Sequence, residues 1–182
     1  MSPRVYLAGK IDKNDWRHRL VPGLRDHLID DGPLRTESFI YMGPFFISCD
    51  HGCFHGPNKH GVRGGCSEGA LTELQIIERS YAAIRSADLI FAYITAQDCL
   101  GTVNELTYAM TIGKPVVMAF ARGVSSREFW FTARTATAVH INITDRTLPS
   151  LLQKELAKTQ TTRKLGGVGS FGTHNFNWTA HE

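Results

Sequence analysis

The segment Asp98-Cys-Leu-Gly101-Thr102-Val-Asn104-Glu105-Leu-Thr-Tyr108-Ala109 carries the strongest chemical signal in the chain. It follows an apolar run and offers a glycine turn, then a carboxylate in the first turn of a helix. There, free backbone N–H groups and the helix dipole favour the ionised form. Glu105 is therefore expected to be a carboxylate held ready at the edge of a sheet, although an ordinary helix-start glutamate would have the same local pattern. A second cluster, Cys49, His51, Cys53 and His55 with His60 and Cys66 downstream, places soft ligands within one loop. Their alternate spacing matches none of the usual zinc patterns, in which paired ligands lie about two to four residues apart. The loop reads instead as a cover over a ligand, its cysteines acting as small hydrophobes, and no metal or cofactor is assigned. Gly167-Val-Gly169-Ser-Phe-Gly172 formally matches a dinucleotide fingerprint, but it lies downstream of the last plausible strand, where no helix N-terminus would meet a pyrophosphate.

The elements that must position these groups alternate in type. Arg4 to Gly9 reads as a buried first strand, and Trp16, Leu20, Leu24 and Leu28 predict a helix that Pro22 kinks or splits. A second strand is expected within Glu37 to Tyr41, followed by a long Gly, His and Pro-rich loop from Gly43 to Gly65. Ser67 with Glu68 is expected to cap the next helix, with Leu74, Ile77, Tyr81 and Ile84 on its buried face. Asp88 to Ile94, Pro115 to Ala121 and Ala138 to Ile143 complete five strands. The intervening helices are Asn104 to Ile112, closed by Gly113, and Phe129 to Thr135; a last helix, Leu148 to Lys158, turns Leu151, Leu152 and Leu156 inward. Strands alternating with helices imply an α/β domain over residues 1–158, built on a parallel sheet covered on both faces. Residues 159–182 read as a tail or an inter-subunit arm. Ligands of such open sheets bind outside the carboxyl ends of the strands, which gathers Gly9 to Asp15, the long loop and Thr95 to Glu105 around one crevice.

With 42% hydrophobic and 20% charged residues in 182, the composition fits one globular domain with a substantial core. No apolar run approaches the roughly 20 residues of a membrane span. The stretch from Met1 to Gly9 lacks the apolar core and cleavage site of a signal peptide, which predicts a cytoplasmic protein. A net charge of +3 with scattered Lys and Arg gives no nucleic-acid surface, so a small-molecule partner is expected. Four cysteines are too few and too localised for a disulfide framework.

Taken together, Val5-Tyr-Leu-Ala-Gly9, Tyr41-Met-Gly-Pro-Phe45, the Ala87-Asp88-Leu-Ile strand start and Gly101-Thr-x-x-Glu105-x-x-Tyr108-Ala109, followed by Gly113-Lys114-Pro115-Val116, resemble the nucleoside 2-deoxyribosyltransferase family and its relatives that hydrolyse nucleotide N-glycosidic bonds. The match spans roughly residues 4 to 121 in the family's order. The resemblance implies a doubly wound, flavodoxin-like sheet, a homo-oligomer with shared active sites, and a retaining double displacement without cofactor. Its substrates would be deoxynucleosides and free nucleobases. Glu105 matches the nucleophile that forms a covalent deoxyribosyl ester, and Tyr6 matches the tyrosine that orients it. Gly101 and Thr102 of the same motif are counted with the substrate-binding residues. Gly9, Asp12 and Trp16 form a possible base-binding edge, Trp16 reading equally as helix core, and Phe45 and Phe46 are candidates for a base-stacking lid.

Two departures limit the resemblance. Many members carry an acid eight positions before the aspartate that opens the third strand, and counting back from Asp88 gives Ser80, a poor general acid. Asp50, His51 and His55 are alternative proton donors. The sugar-binding aspartate is assigned to Asp98, one position further from Glu105 than in some members, with Cys99 in the expected place. Three activities fit: base exchange between deoxynucleosides; hydrolysis of nucleoside 5′-monophosphates, for which Ser125, Ser126 and Arg127 offer a phosphate pocket; and non-catalytic nucleotide sensing. The apolar Phe129-Trp130-Phe131 run is the expected subunit contact.

Overall fold

The computed structural model describes residues 2–11, 15–24, 32–44 and 72–164. The elements, in order, are β1 (Arg4–Ala8), α1 (Arg17–Leu20), β2 (Leu34–Arg35), β3 (Ile40–Tyr41), α2 (Glu73–Ser86), β4 (Leu89–Ile94) and α3 (Leu100–Thr111). Then come β5 (Val116–Ala121), a 3-10 turn (Arg127–Phe129), α4 (Trp130–Thr135), β6 (Ala138–Ile143) and α5 (Leu148–Lys164). One sheet runs in the order β2-β3-β1-β4-β5-β6. All neighbours pair in parallel except β2 with β3. The parallel strands thus follow the flavodoxin-like order, with the chain moving to one side of β1 through β3 and to the other through β4. The fold is a doubly wound α/β sheet of six strands rather than five. The added edge strand, β2, has two residues, Leu34 and Arg35, too few to show a period.

Period-two alternation assigns side chains to two cores. Val5 and Leu7 of β1 face a core with Phe91 and Tyr93 of β4 and Leu148, Leu152 and Leu156 of α5. Tyr6 and Ala8 face the opposite core with Ile90 and Ala92, Ile84 of α2, and Leu106 and Ala109 of α3. Every residue of β4 is buried, as a central parallel strand with helices on both faces requires. Each large apolar side chain so buried stabilises by roughly 2 kcal/mol.

Several helix boundaries differ from the sequence-based expectation. α1 covers four residues before the chain turns at Val21 and Pro22, so the helix stops ahead of the proline; the rest of the expected helix, past Leu24, lies outside the described residues. α2 is capped by Thr72, whose hydroxyl accepts from Gln75 N while the Gln75 side chain returns to Thr72 N; this box does the capping expected of Ser67 and Glu68, which lie outside the described residues. Its buried line is Ile76, Ser80 and Ile84 at four-residue spacing, whereas Leu74 and Ile77 are exposed. α3 begins at Leu100, four residues before the expected start, and Gly101 lies inside it with open space around its Cα. α3 ends as expected at Gly113 (φ +73°), with Gly113 N bonded to Met110 O and Lys114 N to Ala109 O, a Schellman closure. α5 runs through Lys164, beyond the expected boundary at 158.

Candidate active site

The carboxyl ends of β1 and β4 flank the point where the winding reverses, and β1, α2 and α3 converge beneath it. Tyr6 projects from β1 into the α2/α3 core and is fully buried. Its hydroxyl donates to Glu105 Oε1 on α3. The Ser80 hydroxyl, from the buried line of α2, lies beside the same phenol and favours its ionised form. Among the described residues Glu105 Oε2 has no hydrogen-bond partner.

The electrostatics of Glu105 reverse the expectation drawn from sequence. Because α3 starts at Leu100, Glu105 lies beyond the first helical turn, which holds no acidic residue. The free N–H groups of the helix start therefore do not hold its charge. Burial instead pushes its carboxyl up to about 7, opposed by the Tyr6 hydrogen bond and by the positive charge of Arg17. Such a carboxyl is roughly half ionised at neutral pH and gives a competent nucleophile or base. Tyr6 is raised well above the ordinary phenol range, chiefly by burial and then by the Glu105 charge. It remains a hydrogen-bond donor.

Arg17 went unrecognised in the sequence. Its side chain is fully buried and its Nη1 bonds both oxygens of Asp15 at 2.9 and 2.8 Å. Nε donates to Leu7 O at 2.7 Å and Nη2 to Gly9 O at 2.7 Å. Burial disfavours the charged guanidinium, but Asp15, Tyr41 and Glu105 together more than offset this and the net shift is upward. The available signal was the placement of Asp15-Trp16-Arg17 just after the glycine that ends β1, where an ion pair can replace strand partners for exposed carbonyls. Gly9 itself is obligatory: a Cβ there would lie 2.7 Å from Tyr93 O, at a φ of +154°.

The remaining candidates separate. Asp98 is exposed at the mouth of the crevice and bonds Lys10 Nζ at 2.8 and 2.7 Å, which lowers its carboxyl below the usual range. It makes no hydrogen bond to Glu105 among the described residues. Cys99 is buried at the N-cap of α3, its thiol raised by burial, and Thr102 is buried in the first turn. Trp16 belongs to the core: Tyr93 meets its ring edge-on at 5.4 Å and Arg17 lies 4.5 Å from the ring centroid, leaving no open wall for a base. Asp12, Phe45, Phe46, Asp50, His51, His55 and the other Cys and His candidates up to Cys66 lie outside the described residues, as does Gly167 to Gly172. Ser125 Oγ accepts from Arg127 N at 3.2 Å, which shapes the turn and leaves its own O–H a donor.

No protein-family model matches the chain, and no curated protein matches it. Among solved structures, the chain is similar to a conserved protein from Enterococcus faecalis V583, with 14% identity and a TM-score of 0.46, over 88% of this chain and 99% of that one. Among the described residues no helix is long and apolar enough to cross a membrane.

Proposed function

We propose that the chain is a nucleoside 2-deoxyribosyltransferase in which Glu105 is the nucleophile. The observation that carries this reading is the Tyr6–Glu105 hydrogen bond at the carboxyl edge of the reversal point, with one carboxylate oxygen engaged and the other unspent. Glu105 Oε2 attacks the anomeric carbon, the C1′–N bond breaks, and the base leaves with the bonding pair. A deoxyribosyl ester remains on Glu105. A nitrogen of a second base then attacks the same carbon from the face the first base left, loses its proton, and frees the carboxylate with net retention. Tyr6 holds one oxygen of the carboxylate and favours its ionised form, which keeps Glu105 ready to attack and eases its departure in the second step. Ser80 is a poor general acid, so the proton for the departing base comes from another group or from water. Trp130 and Phe131 are exposed on α4 while Phe129 packs in the core, and the first two are the surface we assign to subunit association.

The test is chromatography of the chain incubated with a deoxynucleoside, with and without a second free base, alongside Glu105→Ala. Formation of a new deoxynucleoside that needs the acceptor and disappears in the variant supports the transferase. Base release from a nucleoside 5′-monophosphate without exchange assigns a hydrolase, and silence across a broad donor panel assigns a nucleotide-sensing role.

A further inference from the structure

We propose that Lys10 sets which 5′ end the site accepts: by holding the Asp98 carboxylate across the mouth of the crevice it keeps a neutral pair there, which takes a sugar hydroxyl and turns away a phosphate. This deepens the reading of Glu105 as the point of attack and rests on it for where the sugar lies. Two contacts join the same two segments. Below, Tyr6 of β1 donates to Glu105 of α3. Above, the ammonium of Lys10, in the turn after β1, bonds both oxygens of Asp98, just ahead of α3, at 2.8 and 2.7 Å. Tyr6 lies two residues before the end of β1 at Ala8, roughly 7 Å along the strand. Glu105 lies five residues beyond the start of α3 at Leu100, about 7.5 Å of helix rise. A pentose joined to Glu105 through its anomeric carbon and extended toward the mouth therefore brings its 5′ end to the upper contact.

An ordinary surface ion pair adds little to stability, so stability alone gives no reason for this one. Its two members are unequal: the Lys10 side chain is 30% exposed and that of Asp98 71%. The main chain beneath the lysine is fixed. Gly9 O accepts from Arg17 Nη2 at 2.7 Å, Lys10 O lies 3.5 Å from Arg17 Nη1, and a Cβ on Gly9 would lie 2.7 Å from Tyr93 O. The Lys10 hydrogen bonds and charge keep Asp98 ionised, and its exposed oxygens retain lone pairs for a neutral hydroxyl. A phosphate monoester, with a charge of about −1.5 to −2 at neutral pH, meets instead a carboxylate whose positive partner is already engaged. Neutralising Asp98 releases the ammonium as a charge-assisted donor to phosphate. Neutralising Lys10 leaves the carboxylate to repel it. The two members must therefore shift selectivity in opposite directions.

The experiment is isothermal titration calorimetry on the full chain carrying Glu105→Gln, which removes turnover. The probes are thymidine and deoxyadenosine, each with its 5′-monophosphate, and the quantity read is the Kd of the monophosphate divided by that of the nucleoside. This ratio should lie above unity in the parent and fall by about tenfold or more in Asp98→Asn, the scale of a hydrogen bond to a charged group. It should rise in Lys10→Met, and the fall should vanish in the double variant, because the gain passes through the ammonium. A parent ratio at or below unity, an unmoved ratio in Asp98→Asn, a gain that survives in the double variant, or no binding of any probe overturns the inference. Asp98 is exposed, so Asp98→Asn decides even if Lys10→Met is unstable. Binding needs no chemistry: base exchange surviving in Glu105→Ala would remove the nucleophile reading while the ratios still decide the role of Lys10. Exchange lost in Glu105→Ala with unmoved ratios would remove the role of Lys10 alone.

Discussion

Two glutamates of this molecule, one buried and one half-buried, sit under opposite arrangements. Glu155 on α5 is 4% exposed and is paired with the Lys158 ammonium at 2.6 Å, the His140 imidazole lying with Nε2 at 3.3 Å across from β6. Burial pulls the His140 imidazole down, against the upward pull of Glu155. Among the described residues Glu105 forms no ion pair; a neutral phenol engages one of its oxygens, and the positive charge of Arg17, itself bonded to Asp15, acts through space. The first carboxylate is consumed by the fold. The second is paid for by the fold and kept available. Burial alone therefore does not mark a functional acid; the informative quantity is how much of its hydrogen-bonding and charge capacity remains unspent.

The comparison breaks outright if the wrong carboxylate matters. Glu105→Ala should lower base exchange by about a thousandfold or more, the scale of losing a covalent nucleophile, whereas Glu155→Ala should stay within about twofold in the same chromatographic assay. Stability sharpens it next. Because the folded-state value of Glu105 is raised from an ordinary 4.5 to about 7, its protonated form is the one the fold favours. Its contribution is complete below about 4.5 and is lost as the pH rises through about 7. Glu105→Gln, which mimics the protonated form, should therefore gain on the order of 2 kcal/mol at pH 8 and almost nothing at pH 4 by thermal unfolding. Tyr6→Phe removes the donor that favours the charged carboxylate. It should cut kcat/KM by about tenfold and move the acidic limb of the pH–rate profile upward from about 7 by about one unit. The smallest effect belongs to the satisfied partner: Glu155→Gln should cost about 1 kcal/mol at neutral pH, read by denaturant unfolding, with exchange unaltered.

Much of this architecture was legible because its sequence signals are redundant. β4 and β5 are runs of six almost wholly apolar residues between polar breaks, which admit few other readings, and β6 alternates Val139, Ile141 and Ile143 with His140 and Asn142. Glu105 and Tyr6 could be paired only through the resemblance, since nothing local connects residues 99 positions apart. The helix faces were less legible. In α2, Leu74 and Ile77 look like core but point outward, while a serine takes one of the buried positions; hydrophobicity alone set that stripe wrongly. Gly101 suggested a turn, yet it is an ordinary residue of α3, and moving the helix start removed the dipole argument for Glu105. Arg17 was missed for a related reason. A charged side chain is read as surface by default, and only the carbonyls of the Leu7 to Lys10 turn reveal what it satisfies.

The side-chain alternation of β1 makes the site a matter of parity. Tyr6 enters the α2/α3 core and Leu7 the α5 core, so position along the strand, counted as odd or even, decides which compartment receives the phenol. Deleting one residue ahead of Tyr6, or inserting one, while the strand keeps its pairing would exchange the two compartments. After the deletion Leu7 would face Glu105, after the insertion Val5 or the new residue would, and in both the phenol would be stranded among Phe91 and Leu152. Natural change in this segment is thereby confined to substitutions that leave its length alone, and the strand works as a ruler for the chemistry as well as a beam for the fold.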